Sequence, residues 1–155
     1  MSALPATIVT QVDARDVGRL LHSEELAAAQ DARSLHAEIS RGLPAEVLDG
    51  LREIGYSVDE IARVTANSAR TVQRYLADRR RRTRLNLATS DRAVRLAAVT
   101  VLADRLIGRR DLALAWLRAP NQYLGGLTPL EMLESDAGTA AVVQSLYTIA
   151  YGGVA

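Results

Sequence analysis

"SVDEIARVTANSARTVQRYL", Ser57 to Leu76, decides the fold. Ser57-Val58-Asp59-Glu60 has the form of a capping box. The serine hydroxyl accepts from the Glu60 amide while the Glu60 carboxylate reaches back to the Ser57 amide. The spacing predicts a helix over 58–65, a short "TAN" turn, an N-cap at Ser68 and a second helix over 69–79 that turns Val72, Tyr75 and Leu76 inward. Ala62 is small where the second helix must cross, and Ile61, Val72 and Tyr75 are apolar where the crossing must be held. This is the pattern of a helix-turn-helix.

The outward side chains of the second helix are then Ala69, Arg70, Gln73 and Arg74, with Ser68 and Thr71 at its start. Arg can meet the O6/N7 pair of guanine and Gln the N6/N7 pair of adenine, while the trailing Arg79, Arg80, Arg81 and Arg82 suit phosphates. A helical hairpin with a solvated basic face is the plainer alternative. Two positions depart from the usual pattern: Ala66 stands where glycine is common in the turn, and Asn67 where an apolar residue commonly plugs it. Asn tolerates left-handed backbone, so a turn shifted by one residue is expected.

Charge is distributed to match. Residues 63–84 hold eight Arg against Asp78 alone, a local +7 in a chain of net charge +1, so the remainder carries −6. Such a field attracts polyanions. With 155 residues and 48% hydrophobic content, one well-cored domain or two small ones is expected rather than a disordered chain. The absence of cysteine excludes disulfides, thiolate nucleophiles and Cys-based zinc sites. "MSALPATIVTQVD" lacks the pattern of a secretion signal, and "AVRLAAVTVLADRLIG" is interrupted by Arg95, Asp104 and Arg105. A soluble, cytoplasmic protein is expected.

The rest of the chain reads as helix nearly throughout, an all-α fold in two lobes meeting near residues 83–90. Helices are expected over 13–22, over 24–40 behind an N-cap at Ser23, and over 44–54 with Pro44 in the first turn. "LNLATS" reads as a connector, with Ser90-Asp91 starting a helix over 91–107 that is apolar almost all round. Such a helix needs burial on several sides, in a core or against a second copy, and a homodimer is expected for that reason. Shorter helices follow over 109–118, 129–134 and 137–150, the last turning Val142, Val143, Leu146, Ile149 and Ala150 inward.

The second punctuated stretch is "APNQYLGGLTPLEML", Ala119 to Leu133. Thr128-Pro129-Leu130-Glu131 joins a capping box to proline at the first helical position, and Gly125-Gly126 permits positive φ before it. Two sharp helix boundaries explain this punctuation without any function. "SDRAVRLAAVTVLADRLIG", "ALAWLRAPNQYLGGLTPLEML" and "VVQSLYTIAYGGVA", in this order and spacing, nevertheless closely resemble the C-terminal domain of the Xre/MbcA/ParS family of bacterial antitoxins. Trp116-Leu117, Pro120-Asn121, Leu124-Gly125-Gly126, Thr128-Pro129 and Leu133 carry the resemblance, which spans roughly residues 85–155 behind an Xre-like helix-turn-helix.

The resemblance implies a DNA-binding region (43–84) and a toxin-binding domain (85–155); residues 1–42 lie outside it and are read as an N-terminal helical extension, an extra packing or dimer element. It also implies an antitoxin that binds a RES-domain toxin, whose NAD pocket the C-terminal end obstructs, and that binds operator DNA as a dimer. Asn121, Tyr123, Tyr147, Tyr151, Gly152, Gly153, Val154 and Ala155 are the candidate toxin contacts. A stand-alone repressor is the alternative, and a small all-α enzyme a further one. No phosphate loop or nucleophile–base pattern appears, no cofactor is expected, and His22 and His36 have no partners at metal-ligand spacing.

Overall fold

The Ser57–Glu60 box forms as read: the Ser57 amide donates to Glu60 Oε2 at 2.8 Å and the Glu60 amide to Ser57 Oγ at 3.1 Å. From it the architecture of the structure, a computed structural model describing residues 12–78 and 82–152, can be built outward. Ten α-helices are described: α1 Ala14–Leu20, α2 Glu24–Ala27, α3 Ala32–Arg41, α4 Val47–Ile54, α5 Val58–Thr65, α6 Ala69–Leu76, α7 Leu87–Ile107, α8 Arg110–Arg118, α9 Pro129–Met132 and α10 Asp136–Tyr151. A 3₁₀ turn at Gln122–Leu124 lies between α8 and α9, and there is no strand among the described residues beyond one isolated bridge.

The helix α7 is the axis of the molecule, and α1, α3, α4, α5, α8 and α10 all pack on it. Ala93, Val94, Leu96 to Thr100, Leu102 and Ala103 are buried along it. Most of its apolar surface is thus covered within a single chain, by the N-terminal extension and the C-terminal lobe, while Leu87 stays 52% exposed and Val101, Leu106 and Ile107 half-buried, so burial of α7 does not by itself call for a second copy. Val12, Val17, Leu21, Leu26, Leu35 and Ile39 of the extension join the same buried cluster. Each such aliphatic side chain contributes roughly 1.5–3 kcal/mol on leaving water.

Four differences from the sequence expectation stand out. The helix expected over 24–40 is two, because Asp31 caps α3 by accepting from the Ser34 amide at 2.7 Å. The capping amide and hydroxyl of Ser34 hold the Asp31 carboxyl below its usual range. Pro44 is not in a helix. It pairs with Arg84 in the antiparallel bridge, flanked by Ala45 N to Thr83 O (2.9 Å) and Leu85 N to Leu43 O (2.8 Å), and α4 starts only at Val47. Gly42 permits this crossing, since a Cβ on it would sit 2.2 Å from the Leu85 carbonyl oxygen. "LNLATS" is no connector: Asn86 caps α7, accepting from the Thr89 amide at 2.8 Å, and Ser90 is buried inside it, accepting from the Leu43 amide at 2.9 Å. The helix α6 stops at Leu76, three residues short of the expected end.

Among the described residues one buried side-chain nitrogen, Arg110 Nε, lacks a hydrogen-bond partner, whereas the buried hydroxyls of Tyr56 and Thr100 are paired. Thr100 donates its only hydroxyl proton to the Leu96 carbonyl at 2.7 Å, so at the 2.6 Å contact with Tyr56 the tyrosine must be the donor. Burial pushes the Tyr56 hydroxyl up to about 12.

Candidate DNA-reading and partner-binding surfaces

The turn between α5 and α6 places the reading helix. Ala66 itself takes the left-handed conformation (φ 55°, ψ 39°), so the turn is not shifted to Asn67. The carboxamide of Asn67 fills the position of an apolar plug as a polar one, donating to Thr65 O at 3.0 Å, to Thr65 Oγ1 at 3.1 Å and to Thr89 Oγ1 at 3.0 Å. It thereby joins the turn to the first turn of α7. Below it, Ile61, Ala62, Val64 and Val72 are buried where the two helices cross.

Arg70, Gln73 and Arg74 stand exposed on the outer face of α6. Ser68 and Thr71 are tied up in the cap, with the Thr71 amide donating to Ser68 Oγ at 3.0 Å and the two hydroxyls 2.9 Å apart. Arg82 is exposed, whereas Arg79, Arg80 and Arg81 lie outside the described residues. Two members of the arginine cluster point elsewhere. Arg84 donates Nε to the Gly42 carbonyl at 2.8 Å, and Arg63 lies 3.4 Å from Glu134 and 3.8 Å from Glu131 beside α9. The field on the α6 side is thus smaller than the count along the chain suggests.

The second surface belongs to the C-terminal lobe. Asn121 closes the loop before α9 on itself: its side chain accepts from the Tyr123 amide at 2.9 Å, its amide donates to Leu127 O at 3.0 Å, and its carbonyl accepts from Gly126 N at 2.9 Å. Gly125 (φ 69°) and Gly126 (φ 86°) make the reversal that this closure needs. Leu124 is buried as the loop's anchor, which leaves Tyr123 86% and Leu127 47% exposed. The Thr128–Glu131 box then starts α9, and the capping amide and hydroxyl of Thr128, with Arg63 nearby, hold the Glu131 carboxyl below its usual range.

The loop's 3₁₀ turn packs on α10, the other source of candidate contacts. Tyr147 and Tyr151 stack with ring centroids 6.0 Å apart and 13° between planes, Tyr147 half-buried and Tyr151 64% exposed. Gly152 is exposed, and Gly153, Val154 and Ala155 lie outside the described residues. Arg95 of α7 secures this region by pairing with Asp136 and with Asp91 (3.3 Å) while donating to Leu133 O. Gly138 lets α10 approach, since a Cβ there would lie 2.0 Å from the Met132 carbonyl oxygen.

Sequence reasoning missed three exposed apolar residues of this lobe. Ile149, expected inside, is 51% exposed, and Leu112 and Leu127 are nearly as open. The helix α10 is apolar on most sides, so periodicity gives no way to choose its outer face. The structure does not bring the two histidines together: His22 pairs with Glu53 at 2.6 Å and His36 with Ser40 at 3.2 Å. Among the described residues no helix is long and apolar enough to cross a membrane.

Comparison with known proteins matches both regions to described families. Residues 34–98 match the family described as the antitoxin Xre-like helix-turn-helix domain. Residues 102–152 match the antitoxin Xre/MbcA/ParS C-terminal toxin-binding domain. The chain is 32% identical over 133 residues to an antitoxin Xre of Pseudomonas putida, an alignment covering 86% of this chain and 79% of that protein. It is 25% identical over 123 residues to an antitoxin Xre of Photorhabdus laumondii, covering 76% and 79%. These relatives are antitoxins and not enzymes. With a helix-turn-helix packed against a toxin-binding lobe and both matched in order, the chain belongs to the Xre/MbcA/ParS family of antitoxins.

Proposed function

We propose that this antitoxin neutralises a RES-domain toxin, one that consumes NAD or uses it to modify a target, by seating its C-terminal lobe over the toxin's NAD pocket. The observation that carries the reading is the set of exposed apolar side chains in the toxin-binding region: Tyr123 and Leu127 on the closed loop, Ile149 and Tyr151 at the end of α10. Large apolar groups held out on a rigid frame cost solubility unless a partner covers them, and tyrosines are common anchors of such contacts. The residues from Gly152 to Ala155 are the obstructing segment, and affinity comes chiefly from the loop and α10. The protein acts in the cytoplasm, needs no cofactor and is organised as extension 1–42, DNA-binding region 43–84 and toxin-binding domain 85–155.

Autoregulation is the second half of the proposal. Arg70, Gln73 and Arg74 read operator bases and Arg79 to Arg82 meet phosphates. A homodimer presents two reading helices to a two-fold operator, and this reading rests on the geometry of such operators rather than on an uncovered α7. The experiment for the toxin half compares the full chain with one ending at Tyr151, at equal occupancy of purified toxin, by NAD turnover. The shortened chain is expected to bind and to inhibit poorly; undiminished inhibition would remove the tail from the mechanism and leave the Asn121–Thr128 loop as the blocking element.

A further inference from the structure

We infer that Arg118, inside the toxin-binding region, is a positioning residue for the DNA-reading helix, an inference that rests on the DNA-binding half of the proposed function. The helix α6 packs on α5 and α4, so its attitude is set by how those two are held. The connection between them is Gly55-Tyr56-Ser57, and Arg118 grips its first residue, Gly55, together with Glu60 in the first turn of α5 that follows it. Its Nη2 donates to the Gly55 carbonyl at 2.8 Å, and its Nε and Nη2 meet Glu60 Oε1 and Oε2 at 2.7 and 3.0 Å. Its guanidinium carbon lies 5.8 Å from the centroid of the Tyr56 ring.

Glu60 therefore serves two masters at once: its Oε2 also accepts the Ser57 amide that starts α5. Burial pushes the Glu60 carboxyl up, but the Arg118 and Ser57 hydrogen bonds together outweigh it and hold the group low. On its far side Tyr56 is fastened to α7 through Thr100. One turn along α5, Arg63 faces Glu131 and Glu134. The first helix of the helix-turn-helix is thus braced at two levels by residues of the C-terminal lobe.

An exposed ion pair contributes little stability on its own. A bidentate fork with a carbonyl acceptor behind it does something else, fixing one orientation of the groups it joins. Base-edge contacts need that orientation far more than phosphate contacts do, because a bidentate pair fails with small displacements whereas a phosphate is met as a charge. Arg118 is in this way a specificity residue that touches no DNA.

The test titrates wild type, Arg118→Ala, Arg118→Lys and Glu60→Gln against the DNA upstream of the chain's own reading frame and against a scrambled duplex, well below the melting temperature of each variant. The clamp predicts that the preference for the upstream DNA falls about tenfold in all three variants while affinity for scrambled DNA stays within about twofold, as expected for one weakened bidentate contact. Lysine does not rescue, because it restores charge without the fork. The double variant Arg118→Ala/Glu60→Gln is no worse than either single one. If Arg118 were instead a phosphate contact, lysine would rescue, both DNAs would weaken together and the salt slope would drop by about one; that result overturns the clamp. So does an unchanged preference in Arg118→Ala and Glu60→Gln. Should Arg118→Ala fail to fold, Glu60→Gln, which keeps an oxygen for the Ser57 amide, decides the matter. No preference in the wild type overturns the DNA reading, and the clamp with it.

Discussion

Asn67 is the residue whose replacement most sharply tests how the reading helix is set. Its carboxamide nitrogen donates to Thr65 O, Thr65 Oγ1 and Thr89 Oγ1 between 3.0 and 3.1 Å, and both threonines are 2% exposed. Asn67→Asp keeps shape and volume but replaces the donor with oxygen, setting a carboxylate against the Thr65 carbonyl. The loss combines net hydrogen-bond terms of about 0.5–1.5 kcal/mol each, not all independent because one nitrogen serves three acceptors, with the penalty of a poorly solvated charge. About 2–4 kcal/mol is expected, or roughly 4–16 °C in melting temperature for a chain of this size. Asn67→Leu restores the common apolar plug but leaves the Thr65 carbonyl without its side-chain donor, and should cost less, about 1–2 kcal/mol. Urea unfolding followed by circular dichroism measures both. Asn67→Asp within 0.5 kcal/mol of wild type would refute the view that this turn is held by donation from Asn67.

Gly138→Ala should destabilise the chain by about 2 kcal/mol or more, since the new Cβ would meet the Met132 carbonyl oxygen at 2.0 Å and the gain in helix propensity is only about 1 kcal/mol; thermal melting reads this. Tyr56 titrates at about 12 in the folded chain, above the roughly 10 of an unfolded tyrosine, so the stability it contributes is fully present below pH 10 and is lost as pH rises toward 12. Denaturant unfolding across that window should show wild type losing on the order of 2–3 kcal/mol more than Tyr56→Phe. At neutral pH the same variant should be about 1 kcal/mol less stable, having lost one buried bond to Thr100. In gel-shift titration, Arg70→Ala should cost about 1–3 kcal/mol on operator DNA and little on scrambled DNA, whereas Arg82→Ala should weaken both alike.

Much of this was legible along the chain because it is encoded locally. The capping boxes at Ser57 and Thr128 form as spelled, and the exposed face of α6 is the one its periodicity gives. Other features depend on pairings that periodicity does not show, most of them between residues far apart in sequence. Ser90-Asp91 looks like a helix start, but Ser90 is needed inside α7 to accept the Leu43 amide, and Asn86 caps the helix instead. The run "AAAQD" carries no proline or glycine, so the break before Asp31 is visible only through the Asp31–Ser34 pairing. Ala66 adopts a left-handed turn without glycine because the Asn67 side chain, fastened to Thr89 twenty-two residues on, supports it. The Arg118 clamp joins residues 58 apart and leaves no local trace at all.

In the proposed function the exposed apolar residues of the C-terminal lobe hold the toxin. Calorimetric titration of the proposed partner, a purified RES-domain toxin, against wild type and against Tyr123→Ser/Tyr151→Ser, tests it most directly. The two tyrosines are among the most exposed large apolar groups of the lobe, at 86% and 64%, so their replacement should leave folding and operator affinity intact. Buried aromatic anchors contribute about 2 kcal/mol or more each, and 1.4 kcal/mol is tenfold, so with both removed the Kd should rise by roughly 700-fold or more. An unchanged Kd, with the variant folded, would contradict the account and move the toxin interface off this surface.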